Sequence, residues 1–123
     1  MTDEQTTVAE LRAIVRQFVD ERDWRQFHSP KNLSMSLAIE VAELMEHFQW
    51  IGADASWKVA DHPDRRLEVR DELADVLCYV LALANELQID LSTALKDKMV
   101  KNARKYPAEE YRGRYGPEDD GNG

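Results

Sequence analysis

Apolar residues recur along this chain at three- and four-residue intervals, and no stretch alternates polar with apolar as a half-buried strand would. Val8, Leu11, Ile14, Val15 and Phe18 form the first stripe. It predicts a helix from Thr7 to about Glu21, opened by a capping-box pairing of Thr7 with Glu10. A second helix is predicted from Ser29-Pro30, with proline in the first turn, to about Trp50. Gly52 to Pro63 reads as a loop, and a third helix as running from about Asp64 to Leu87. Asp90 is placed to cap a fourth helix, which ends before Pro107 because the residue preceding proline avoids the α region.

Glycine and proline give the same division. Gly113, Gly116, Gly121 and Gly123 crowd the C-terminal end, and only Gly52 precedes them. The four prolines fall between long unbroken segments. The expected fold is therefore all-α, a four-helix bundle in a single domain over residues 1–112. Residues 113–123 read as a short acidic tail, expected to be disordered.

On a helical wheel the second helix is apolar over most of its circumference. Leu33, Leu37, Val41, Leu44 and Phe48 form one stripe, and Ala38, Ile39, Ala42 and Met45 cover much of the rest. That predicts burial on several sides. One wedge is polar, with Ser36, Glu40, Glu43 and His47. The third helix repeats the plan, with Leu73, Val76, Leu77, Val80, Leu81 and Leu83 apolar and one stripe of Glu68, Glu72, Asp75, Tyr79 and Glu86.

Composition sharpens this picture. The chain has 123 residues, 43% of them hydrophobic, which suits one domain with a real core. With 24 acidic against 16 basic residues the formal charge is −8, which argues against a nucleic-acid polymer as partner. It leaves single nucleotides open, because a metal ion reverses the sign of an acidic pocket. No apolar run approaches the ~20 residues of a membrane span. The acidic N-terminus does not read as a secretory signal. One cysteine, Cys78, fits a reducing cytoplasm and is expected to pack as a small apolar residue.

An acidic pair at i and i+3 is ordinary on a solvated face. Two such pairs in otherwise apolar helices are not. Glu40 and Glu43 sit within Ala38-Ile39-Glu40-Val41-Ala42-Glu43-Leu44, and Glu72 and Asp75 within Glu72-Leu73-Ala74-Asp75-Val76-Leu77. Like charges so placed resist burial unless compensated, and no Lys or Arg follows either pair within a turn. A divalent cation is the economical compensation; a polar groove for a basic partner is the alternative. The all-oxygen donor set suits Mg²⁺ or Mn²⁺ rather than Zn²⁺. A di-iron bundle wants Glu-x-x-His, and here the residue three after Glu43 is Glu46. Lys98, Lys101, Arg104 and Lys105 near the end of the fourth helix either meet polyphosphate or complement the helix dipole. Trp24, Phe27, His28, Trp50 and Tyr79 offer stacking surfaces or core contacts.

These residues resemble the all-α nucleoside triphosphate pyrophosphohydrolases of the MazG type, and within them the dCTP pyrophosphatase branch. The resemblance covers roughly residues 21–107. It rests on Glu40-x-x-Glu43 with Glu72-x-x-Asp75, on Trp24-Arg25-Gln26-Phe27-His28 with Pro30-Lys31-Asn32-Leu33, on Phe48-Gln49-Trp50, and on Lys98-Met99 with Asn102 and Lys105-Tyr106-Pro107. It implies that Glu40, Glu43, Glu72 and Asp75 bind Mg²⁺ and carry catalysis, with Glu43 favoured to take the proton of the attacking water. It implies that Trp24, Arg25, Gln26, Phe27, His28, Trp50 and Tyr79 surround the nucleoside, and that Lys98, Asn102 and Lys105 face the phosphates. The implied reaction turns a deoxynucleoside triphosphate, dCTP or a modified pyrimidine, into monophosphate and pyrophosphate, in a house-cleaning role. Members assemble as dimers or as tetramers of dimers, so a homo-oligomer is expected. In eukaryotic members the first helix carries a substrate-contacting histidine; the aligned residue here is Val15. A helical interaction module with an acidic groove, or the same scaffold acting on dUTP, are the competing readings.

Overall fold

A computed structural model describes residues 1–114. Every regular element among them is helical: α1 (Val8–Glu21), α2 (Pro30–Glu46), α3 (Ala53–Ser56), α4 (Pro63–Leu87), α5 (Leu91–Lys105) and α6 (Ala108–Tyr111), with single 3₁₀ turns at Arg25–Phe27 and Val59–Asp61. The all-α expectation holds, and the four long helices lie where the periodicity puts them. The chain forms two compact units, the first Met1–Ile89 and the second beginning at Asp90. The expected tail falls mostly outside the described residues.

Local chemistry sets the ends. Thr7 Oγ1 accepts from the Glu10 backbone N–H at 3.1 Å, Ser29 Oγ from Asn32 at 3.1 Å, and Asp90 Oδ2 from Thr93 at 3.0 Å. The end of α1 is a left-handed cap: Asp23 has φ +51°, and the Trp24 N–H reaches back to the Val19 carbonyl at 3.1 Å. Gln88, at φ +54°, ends α4 the same way, with the Ile89 N–H on the Ala84 carbonyl at 3.0 Å.

One boundary is corrected and two short helices are added. The second helix stops at Glu46 rather than Trp50. There the bonds tighten to the i−3 pattern, His47 N–H to Leu44 at 3.3 Å and Phe48 N–H to Met45 at 2.9 Å, before Gly52 turns extended. The loop from Gly52 to Pro63 contains α3 and a 3₁₀ turn, whose Val59 is buried. Beyond Pro107 the chain resumes as α6, where Tyr111 packs edge-on against Tyr106 with ring centroids 5.2 Å apart.

The first unit is built on α4, against which α1 and α2 pack. Its core is Val15 and Val19 of α1, Leu33 of α2, Val59, and Leu81, Ala82 and Ala84 of α4, with Leu33 the most enclosed at 1% exposure. Burial of α2 on several sides is not met within one chain. Leu37, Leu44 and Phe48 are half-buried, whereas Ile39 (58% exposed), Val41 and Met45 are open. On α4, Leu73 and Leu77 are exposed likewise. Within one chain these apolar positions of α2 and α4 stay open to solvent.

Candidate metal centre and adjoining cavity

Residues three apart on a helix share a face, so Glu40 and Glu43 project together from α2. Glu72 meets them from α4, and carboxylate oxygens of Glu40, Glu43 and Glu72 lie within 4.8 Å of one another. Glu40 and Glu72 are half-buried, and the Oε2 atom of each is shielded from solvent without a hydrogen-bond partner. With both groups ionised neither has a proton to donate, so a buried lone pair stays unmet on each side. The Glu40 carboxyl is pushed up to about 7, first by desolvation, then by hydrogen bonding with Glu72 and Glu43 and by the charges of Glu43 and Asp75. Two arrangements relieve the cluster: a proton held between the carboxylates, or a cation. The donor set is all oxygen, and no histidine joins it; His47 stands instead 3.9 Å from Glu68. A hard divalent cation such as Mg²⁺ fits these residues.

Asp75, one turn beyond Glu72, is not among the three closest ligands. It lines the cavity that adjoins the cluster. That cavity, of about 440 Å³, is walled by Ile14, Val15, Phe18 and Val19 of α1, by Trp24 and His28 after it, and by Asp75, Cys78, Tyr79 and Ala82 of α4. Glu40 closes one side, so an acidic cluster and an aromatic-lined space share a wall. The Schellman-type cap at Asp23 turns the chain so that the Trp24 ring packs edge-on against Phe18, centroids 5.6 Å apart, and tilted towards His28 at 6.4 Å. The Cys78 thiol is held above its ordinary range by burial and then by the charges of Asp75 and Glu40.

Of the nucleoside candidates, Trp24, His28 and Tyr79 line this cavity. The others do not within one chain. Arg25 turns away and pairs through Nε with Glu86 at 3.3 Å. Gln26 donates to the Asp23 carbonyl at 2.9 Å. Phe27 and Trp50 are exposed, Trp50 at 86%. Lys98, Asn102 and Lys105 belong to α5 in the second unit; there Asn102 is half-buried against Met99 and the Lys105 ammonium lies 5.2 Å from the Tyr106 ring centre. Sequence reasoning missed Ile14, Phe18 and Cys78 as cavity residues, since a stripe of apolar spacing looks the same whether it meets core or an open space.

A model of the MazG-like family matches residues 35–115. The chain is 40% identical over 109 residues to bovine (Bos taurus) dCTP pyrophosphatase 1, covering 89% of this chain and 64% of that protein. It is 41% identical over 104 residues to the human (Homo sapiens) dCTP pyrophosphatase 1, covering 85% and 61%. It thus spans less than two thirds of the length of these relatives. A crystal structure of a pyrophosphatase from Archaeoglobus fulgidus DSM 4304 superimposes with a TM-score of 0.75 at 48% identity, covering 80% of this chain and 91% of that one.

Proposed function

This chain belongs to the MazG-like family, and on that premise we propose that it is a Mg²⁺-dependent nucleoside triphosphate pyrophosphohydrolase. The observation that carries this reading is the shared wall: Glu40 belongs both to a carboxylate cluster with two buried, unpartnered oxygens and to a cavity lined by Trp24, His28 and Tyr79. One end suits a cation with phosphates, the other a flat ring. The relatives named dCTP pyrophosphatase support dCTP, or a modified pyrimidine deoxynucleotide, as substrate.

In this reading water attacks the α-phosphorus, the bond to the β-phosphate oxygen breaks, and the products are monophosphate and pyrophosphate. Glu40, Glu43, Glu72 and Asp75 would hold Mg²⁺. When bound, the ion supplies charge neutralisation between carboxylates and phosphates, a more acidic water and stabilisation of the leaving group. Glu43 takes the proton of the attacking water. Trp24 stacks on the base and Tyr79 and His28 border it. Lys98, Asn102 and Lys105 keep the phosphate-facing role that the resemblance implies. The protein works in the cytoplasm as a homo-oligomer, a dimer or tetramer, in clearing unwanted deoxynucleotides.

The test is pyrophosphate release from each dNTP, dUTP and 5-methyl-dCTP, with Mg²⁺ and with EDTA. Mg²⁺-dependent release, strongest with one pyrimidine, supports the reading and names the base. No release from any of them would sink it and favour an acidic interaction module.

A further inference from the structure

Helix α1 supplies a wall of the cavity but no carboxylate to the cluster. What holds that wall in place is a set of hydrogen bonds at the far end of α4. The half-buried Arg12 donates through Nε to Asn85 Oδ1 at 3.0 Å and through one terminal nitrogen to the Ala84 carbonyl at 3.1 Å. Its other terminal nitrogen donates to the Ile89 carbonyl. Asn85 returns a bond from Nδ2 to the Arg12 carbonyl at 3.1 Å, and Arg16 adds a second cationic donor to the same Oδ1, also at 3.1 Å. The Asn85 side chain therefore donates once and accepts twice, from two different turns of α1. The Ala84 carbonyl lies in the last turn of α4, where the helix dipole favours a cation.

Position gives this fastening its consequence. Arg12 precedes Val15 by three residues and Val19 by seven, so it lies on the face of α1 that walls the cavity. Asn85 follows Ala82 by three on α4, and Ala82 is the opposing wall. Neither Arg12 nor Asn85 lines the aromatic cavity itself. Charge-assisted bonds of this kind are the stronger class, and they fix orientation as well as distance.

We propose that Asn85 is a positioning residue for nucleotide binding: through Arg12 and Arg16 it sets the placement of α1, and so the fit of Ile14, Val15, Phe18 and Trp24 around the base. This rests on the reading that the cavity takes the nucleoside. Because the carboxylates stand on α2 and α4, loosening α1 weakens substrate binding and leaves the metal end intact.

The experiment compares wild type, Asn85→Leu, Asn85→Asp and Arg16→Gln in steady-state pyrophosphate release at saturating Mg²⁺, with Mg²⁺ titrations alongside. Asn85→Leu raises KM for the preferred nucleotide about tenfold, with kcat within about twofold and the Mg²⁺ midpoint unchanged. Asn85→Asp keeps both acceptor bonds and returns KM to within about threefold of wild type. Arg16 is exposed, so its variant folds even where Asn85→Leu does not, and it raises KM about threefold. Folded variants with wild-type KM, or a fall in kcat at fixed KM, would overturn the proposal while leaving the pyrophosphohydrolase reading untouched. A wild type that releases no pyrophosphate removes both.

Discussion

Glu40 and Glu72 meet across the α2–α4 contact, each with its Oε2 atom buried and unpartnered. Two carboxylates so placed repel, and neither can satisfy the other without a proton. Exchanging one for an amide changes that balance. In Glu72→Gln the new amide donates to Glu40, a hydrogen bond to a charged group worth about 1.5–3 kcal/mol at its best. Metal-free Glu72→Gln is therefore expected to melt higher than wild type in EDTA, yet to lose the Mg²⁺-induced rise in Tm and at least about 100-fold of its turnover. Differential scanning fluorimetry with and without Mg²⁺, beside the pyrophosphate assay, reads all three. A variant less stable than wild type in EDTA that still turns over would contradict the strain assigned to this pair.

The same cluster gives the metal-free protein a pH dependence of definite sign. Glu40 keeps its proton to about pH 7 when folded, against an ordinary value of 4.5. Between those values the native state binds more protons than the unfolded one, so stability is highest at the acid end and is lost as pH rises through the folded value. In EDTA, Tm of the wild type is expected to fall relative to Glu40→Gln from about pH 5 to about pH 8, then run parallel to it. Saturating Mg²⁺ takes the place of the proton and holds Tm up at the alkaline end. A constant wild-type-minus-variant difference across that range would show that Glu40 titrates normally.

Trp24 owes its place to backbone rather than side-chain partners. The left-handed Asp23 and the bond from Trp24 N–H to Val19 swing the indole onto Phe18, leaving 42% of the residue exposed. A ring so presented stacks equally on substrate and transition state, which lowers KM without raising kcat. Trp24→Ala is expected to raise KM about 10-fold or more, stacking being worth about 1–3 kcal/mol per base, with kcat changed less than about threefold. Unchanged KM would return Trp24 to a packing role.

What the chain discloses in advance is what its neighbours in sequence decide. Thr7, Ser29 and Asp90 cap within three residues of themselves, and the caps at Thr7 and Asp90 form as their spacing predicts. The acidic cluster was legible for a related reason: Glu40, Glu43 and Glu72 stand out because the residues around them on their own helices are apolar. Arg12 carries no such signal, since its partner Asn85 lies 73 residues away and neither is unusual in its own stretch. Nor does a wheel say which apolar face is covered. Leu33 and Val41 share one stripe by spacing, and one is 1% exposed while the other is 46%. The second helix ends early at Glu46 through a switch in hydrogen-bond pattern that helix propensity does not register.

The exposed apolar side chains lead to a prediction about assembly. Ile39, Val41 and Met45 on α2, with Leu73 and Leu77 on α4, are all 46% or more exposed in the single chain. Large apolar side chains left exposed in number mark contact surfaces, and burying each is worth roughly 1.5–3 kcal/mol. The carboxylates of the candidate metal centre project from these same two helices, so a partner seated on the apolar positions would also stiffen α2 against α4. Light scattering is expected to give at least twice the 14.2 kDa of one chain. Ile39→Asp places a charge at one of these exposed apolar positions and is expected to shift the mass towards one chain, with a lower Tm that now depends on protein concentration. Wild-type protein that scatters as a single chain would mean that these side chains stay in water, and that α2 and α4 hold the site without help from a second copy.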